Sequence, residues 1–187
     1  DEVALVTGST AGLGRVIAAR LAAEGAAVVV TGRDAERGEA VADEVGGTFI
    51  AADLGDEAGA ADLVDAAAGR SGRLTVLVNN AATNPYAGPT IDVDLPRWEK
   101  TLQVNLTAPL FWTQLAWQRF MRENGGAIVN ISSVGGLATN PILGVYDVSK
   151  AALIHLTKQL AAELGPRVRV NAIATGLIRT DFARALW

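Results

Sequence analysis

The sequence predicts an α/β fold, a parallel β-sheet with helices on both faces, built from the whole 187-residue chain. Two observations carry this expectation. Short, nearly continuous apolar runs alternate with longer helical stretches from end to end, and such runs suit strands buried on both faces. Glycines stand where the helices should stop, at Gly25, Gly46, Gly47, Gly72, Gly125, Gly126 and, ahead of Pro166, Gly165. Alternating β and α elements imply right-handed crossovers between parallel strands.

The first strand is expected over residues 3–7, an apolar run that enters a glycine turn and a helix over 13–24. The run at 27–31 gives the second strand, and the helix over 35–45 closes on Gly46 and Gly47. A third strand at 48–52 leads to a helix over 57–71 that stops at Gly72, and a fourth strand follows at 74–79. Residues 84–96 form a loop punctuated by Pro85, Pro89 and Pro96. The helix from 96 to 124 is long, and Pro109 inside it predicts a bend near Asn105. A fifth strand over 127–131, a helix over 146–164 and a sixth strand over 169–173 complete the pattern. With no linker or low-complexity segment, residues 1–187 are expected as a single nucleotide-binding domain with a sizeable core.

Composition excludes several function classes. Net charge is −4 and no Lys/Arg cluster stands out, which argues against nucleic acid or an anionic membrane as partner. The absence of cysteine removes disulfides, thiolate metal sites and Cys nucleophiles. His155 is the only histidine; without a carboxylate cluster around it, no metal site is expected and a structural role fits it better. No apolar run is long enough to span a bilayer, and a cytoplasmic location is expected. The chain starts at Asp1 directly before a strand-like run, so its N-terminus reads as clipped.

Thr7-Gly8-Ser9-Thr10-Ala11-Gly12-Leu13-Gly14 follows the first strand and opens the first helix. A glycine turn there lets backbone approach a pyrophosphate, which the helix N-terminus attracts. The spacing is G-x-x-x-G-x-G, and Arg15 rather than Lys follows the last glycine, so this is not a Walker A loop. After the second strand, Gly32 and Arg33 stand where an NAD site usually carries a carboxylate for the ribose 2′-hydroxyl. A guanidinium with no carboxylate before it suits a 2′-phosphate, favouring NADP(H) over NAD(H). Asp34 keeps NAD(H) open. Asp53 and Leu54, after the third strand, would hold the adenine; a helix N-cap is the competing role for Asp53.

Tyr146-Asp147-Val148-Ser149-Lys150 places a phenol and an ammonium one helical turn apart, on one helix face. Neither is a useful acid or base alone at neutral pH, but a neighbouring ammonium favours the phenolate and lowers the Tyr pKa. The pair then makes a general acid/base for an alcohol oxygen.

Together these residues resemble the short-chain dehydrogenase/reductase family over nearly the whole chain. The glycine motif is Gly8, Gly12 and Gly14; Asn79-Asn80-Ala81-Ala82 matches the family's motif after strand four; Asn105, Ser133, Tyr146 and Lys150 match its tetrad, with Ser133 thirteen residues before Tyr146. The resemblance implies a Rossmann-type doubly wound sheet and hydride transfer between a nicotinamide and a carbonyl or alcohol carbon. Tyr146 would exchange the oxygen's proton, and Lys150 would hold the nicotinamide ribose and lower the Tyr pKa. Ser133, selected over Ser132 by spacing, would bond the reacting oxygen. Asn105 would hold a water linking Lys150 to solvent. Ser9, Leu13, Asn80 and Ala81 would line the cofactor, and Gly176, Ile178 and Thr180 would meet the carboxamide end of the nicotinamide.

Three departures from the family pattern stand out. Ala82 replaces a glycine, Thr175 replaces a proline, and the chain stops at Trp187, where a substrate lid, a further helix and a seventh strand are expected. The run Asn80–Tyr86 and the ending Phe182–Trp187 resemble the carbonyl/retinol reductase branch and bacterial 3-oxoacyl-carrier-protein reductases. That implies a ketone reductase with a fairly apolar substrate. Leu110, Phe111, Trp112, Leu115, Trp117, Leu153, Leu156 and Leu160 either face their own sheet or supply the family's helical interface, giving a homodimer or homotetramer. The rival reading is a dinucleotide-binding regulatory protein without turnover.

Overall fold

The computed structural model describes residues 2–53, 57–69 and 72–186. Six parallel strands form one sheet in the order β3-β2-β1-β4-β5-β6. They are β1 (Val3–Val6), β2 (Ala27–Gly32), β3 (Thr48–Ala51), β4 (Val76–Asn79), β5 (Gly126–Ser133) and β6 (Val168–Thr175). The helices are α1 (Gly12–Ala23), α2 (Ala35–Val45), α3 (Glu57–Ala68), α4 (Leu95–Leu102), α5 (Ala108–Ala116), α6 (Arg122–Asn124) and α7 (Gly144–Leu164). This is the doubly wound Rossmann-type sheet, with its order reversing between β1 and β4. In such sheets ligands bind in the crevice beyond the carboxyl ends of the strands at that reversal.

Alternation along β1 divides the core. Val3 and Leu5 face a layer with Leu63 and Val64 of α3, Trp112 and Leu115 of α5, and Leu160 of α7. Ala4 and Val6 face Ala18 of α1 and Val41 of α2. Burying a Leu, Ile or Val side chain contributes about 1.5–3 kcal/mol, so the sheet is clamped from both sides. Asp34 caps α2 and Asp94 caps α4, each accepting from the backbone N–H three residues on, at 3.1 and 2.9 Å.

The long helix expected over 96–124 is interrupted in its winding. Between α4 and α5, Gln103–Thr107 forms a π-turn, and a second, Trp117–Met121, joins α5 to α6. Pro109 explains the first: it has no N–H to offer the Asn105 carbonyl four residues earlier, so the ladder widens there. β5 and β6 run two residues further than expected at their carboxyl ends, to Ser133 and Thr175. All eight apolar residues offered for a subunit interface are buried or half-buried, seven of them in or against this chain's own core. Much of that apolar face is therefore already used.

Candidate active site

The glycine turn sits at the reversal and is stitched to the end of β4. Asn80 Nδ2 donates to the carbonyls of Thr7 (2.9 Å) and Gly8 (3.1 Å). Thr7 Oγ1 accepts from the backbone N–H of Asn80 (3.0 Å) and Ala81 (3.2 Å). Gly8 adopts φ +63°, and a Cβ there would lie 3.0 Å from Ala81. A Cβ on Gly14 would overlap the Gly8 carbonyl and the Asn80 amide. Close packing of strand end, turn and helix thus requires glycine at both positions.

The N-cap of α1, Ala11, provides no side-chain hydrogen bond. The first turn therefore presents backbone N–H groups at the crevice, the arrangement that holds phosphate. Gly12 lies beside Thr180, whose Cγ2 would be 3.5 Å from a Cβ there. Two stretches nominated separately, 8–14 and 176–180, thus meet. Gly176 and Ile178 are exposed and Thr180 half-buried.

Ser9 differs from expectation. It is fully buried; its hydroxyl donates to the Val6 carbonyl (2.6 Å) and accepts from Thr31 N–H (3.0 Å), and its own N–H donates to the Thr31 carbonyl. Ser9 therefore shapes the turn from behind instead of facing a ligand, while Leu13 is half-buried against the α1–α2 layer. Arg33 is exposed just past β2 and makes no ion pair among the described residues. Asp34, which kept NAD(H) open, is engaged as the α2 cap and pairs with Arg37 at 3.2 Å. Asp53 is exposed after β3; Leu54 lies outside the described residues.

Ser133 ends β5, and its Oγ accepts from Gly135 N–H at 3.1 Å. The adjacent Ser132 is buried and donates to the Lys150 carbonyl (2.9 Å), which ties β5 to α7. Of the two serines, it is Ser133 whose hydroxyl acts on the Tyr146 phenol, favouring its phenolate. Lys150 is 2 % exposed; its Nζ donates to the Ile131 carbonyl (2.8 Å) and lies 5.5 Å from the Tyr146 ring centre. The four tetrad positions come together with one correction. Burial raises the Tyr146 pKa above its ordinary value, the Ser133 hydrogen bond opposes this, and Asp147 adds to it. Lys150 is not what sets the phenol here. Burial instead brings the lysine down to about 8, because desolvation disfavours the ammonium.

Asn105 is fully buried and its side chain is committed. Its Oδ1 accepts from Thr83 N–H (2.8 Å), and its Nδ2 donates to the Thr83 carbonyl (2.9 Å) and Ser149 Oγ (3.0 Å). The expected water would rest on the main-chain carbonyl that Pro109 leaves without its helical donor, not on the side chain. Ser149 in turn donates to the Tyr146 carbonyl at 2.7 Å.

Sequence reasoning missed a buried polar ladder. Asn79 Nδ2 donates to Asn130 Oδ1 (2.8 Å), Asn130 Nδ2 to Thr157 Oγ1 (2.9 Å), and Thr157 to the Leu153 carbonyl (2.7 Å). The signal was present as one asparagine in each of two apolar strands, and the two pair in register. The roles of Thr7, Thr83, Ser149 and Asp147 were also missed; each acts through neighbours distant in sequence or through a loop.

Comparison with known proteins agrees with this geometry. The sequence profile of the short chain dehydrogenase family matches residues 2–187. Dehydrogenase/reductase SDR family member 4 of Homo sapiens is 42% identical over 193 residues, covering 100% of this chain and 69% of its own length. The NADP-dependent (R)-specific alcohol dehydrogenase of Lentilactobacillus kefiri is 39% identical, covering 96% of this chain and 74% of its own. A short-chain type dehydrogenase/reductase from Mycobacterium ulcerans superposes with a TM-score of 0.93 at 36% identity, covering 99% of this chain and 70% of that one.

Proposed function

This chain belongs to the short-chain dehydrogenase family, oxidoreductases of alcohol and carbonyl groups with NAD(P), and from that premise we propose that it is an NADP(H)-dependent reductase of apolar ketones, 3-oxoacyl groups among them. The carrying observation is the half-buried Tyr146 phenol, bonded to Ser133 and 5.5 Å by its ring from a lysine at about 8. The glycine turn, which admits no side chain at Gly14, and the uncapped first turn of α1 fit a pyrophosphate. Arg33, with no carboxylate before it and Asp34 turned to its cap, supports the 2′-phosphate and hence NADP(H). The Lentilactobacillus relative carries NADP-dependence in its name.

The cofactor supplies the hydride. Tyr146, protonated because burial raises its pKa, gives its proton to the substrate oxygen as that oxygen gains charge. Ser133 donates a hydrogen bond to the same oxygen. Lys150, lowered to about 8 by burial, can return a proton toward the phenol, with the Asn105 main-chain carbonyl, which Pro109 cannot pair, an acceptor for a connecting water. Asp53, Asn80, Ala81, Gly176, Ile178 and Thr180 would shape the cofactor cleft. The apolar preference is supported by Leu137, Ile142, Leu177 and Phe182, all more than half exposed, with the Phe182 ring 6.1 Å from Tyr146. Absorbance at the nicotinamide band tests the proposal: purified protein is mixed with NADPH or NADH and a ketone panel that includes an acetoacetyl thioester. Faster NADPH consumption with the apolar ketones is expected; tight NADPH binding with no turnover would instead favour a regulatory cofactor-binding protein.

A further inference from the structure

Asp147, next to the reacting tyrosine, has no part in the chemistry above, yet its surroundings are unusual. It is 5% exposed. One carboxylate oxygen, Oδ2, accepts from Asn140 N–H at 2.9 Å. The other, Oδ1, is buried with no hydrogen-bond partner among the described residues and faces Gly135, where any Cβ would collide with it. Gly135 is also the residue whose N–H bonds Ser133 Oγ. The Asp147 carboxylate thus touches both limbs of the segment that leaves Ser133 and returns to α7. A buried carboxylate that keeps one oxygen unbonded is costly, and a stability role alone gives no reason for it.

We propose that Asp147 is a positioning residue for the tyrosine site: its buried carboxylate holds residues 134–143 against the first turn of α7, fixes Gly135 and through it Ser133, and sets a negative charge beside the Tyr146 phenol. A like charge disfavours the phenolate, and Asp147 acts on Tyr146 in that direction. Residues 134–143 contain no ionisable side chain. On α7 the nearest titratable groups are Tyr146 and Lys150, whose ammonium turns to the Ile131 carbonyl. On α4, packed against α7, Arg97, Glu99 and Lys100 are exposed, and Arg97 pairs with Asp94. Asp147 thus has no cationic partner among these groups, and its charge acts on the phenol undiminished by a pair.

The inference rests on Tyr146 being the acid/base, so its first test needs no turnover. The chain has two tyrosines. In a Tyr86→Phe background, Tyr146 alone gives phenolate absorbance, read against pH with and without Asp147→Asn. The Asn variant, close in shape, should ionise at lower pH; an unchanged or higher midpoint overturns the proposal even if no ketone is ever reduced. The second test compares ketone-reduction kcat for Gly135→Ala, Asp147→Ala and the double variant. Gly135 does not occupy a left-handed φ, so its methyl acts through the collision. Gly135→Ala should lose about tenfold, and the double variant should be no slower than Asp147→Ala alone. Losses that multiply would show that the two residues do not act on one another and would also overturn it.

Discussion

Replacing Lys150 with Met should shift the protein's resistance to unfolding by an amount that favours the variant most near neutral pH and fades as pH rises. Lys150 falls from an ordinary 10.5 to about 8 because burial disfavours its ammonium. The sign follows from which state binds the proton. Below pH 8 the lysine is charged in both states and the folded protein carries the full cost. Between 8 and 10.5 the folded state releases the proton while the unfolded chain keeps it, so folding grows more favourable with pH. With about 1.4 kcal/mol for each pH unit between the folded and unfolded values, the cost is about 3 kcal/mol at pH 7 and about 1 kcal/mol at pH 9.5. Methionine fills a similar volume but leaves the Ile131 carbonyl without its donor, a loss of about 1–3 kcal/mol that does not depend on pH. The absolute difference at one pH is therefore small, and its change with pH carries the argument. The raised Tyr146 acts in the opposite direction only near and above pH 10, and it is common to both proteins. Urea unfolding of the parent and Lys150→Met at pH 7, 8.5 and 9.5 reads the effect. The variant's relative stability should fall by about 2 kcal/mol across that range, while its reductase activity is lost throughout. A stability difference that stays flat would show that the ammonium is not held in a desolvating site.

Other consequences are open to direct measurement. Tyr146→Phe should lower kcat/KM by about 10²–10⁴-fold with NADPH affinity by fluorescence nearly unchanged; near-parental turnover would remove the phenol from the mechanism. Arg33→Ala should weaken NADPH about tenfold or more while sparing NADH, the loss of a charge-assisted hydrogen bond; equal weakening of both cofactors would place Arg33 away from the 2′-phosphate. Gly14→Ala must push apart the Gly8 carbonyl and the Asn80 amide, for about 1–3 kcal/mol in urea unfolding, and parental stability would contradict the packing. Alcohol oxidation should keep rising from pH 7 to 9.5, because it requires the phenolate and burial raises that ionisation; a plateau below pH 8 would contradict a raised phenol.

Much of this architecture was legible because the strands are continuous apolar runs and the helices stop at glycine. Gly8, Gly12 and Gly14 were readable from the turn between strand and helix: Gly8 and Gly14 leave little space for a side chain, and Gly12 takes a positive φ of +54°. The tetrad was legible through spacing, since Tyr146 and Lys150 share a helix face and Ser133 ends the preceding strand. Physical state was less legible than position. Adjacent charges at helical spacing gave a lowered phenol, whereas burial, which depends on how β5 and α7 pack, raises the phenol and lowers the lysine. Ser9 read as a cofactor contact because it lies in the glycine turn; only the pairing of β1 with β2 shows its hydroxyl turned inward. The π-turn at Asn105 was foreseeable as a bend at Pro109, but its form depends on which carbonyl loses a donor. Asp147 carried no role in the sequence, because its partners Asn140 and Gly135 come from a loop without periodic signal.

The most direct test of hydride transfer from NADPH to a ketone follows the label. The protein is mixed with NADPH deuterated on one face of the nicotinamide and an apolar ketone, and the product alcohol is analysed by mass spectrometry, with Tyr146→Phe in parallel. Deuterium is expected at the carbinol carbon from one label face only, formed by the parent and not by Tyr146→Phe. Alcohol without deuterium from either labelled face, or formed equally by Tyr146→Phe, would contradict it.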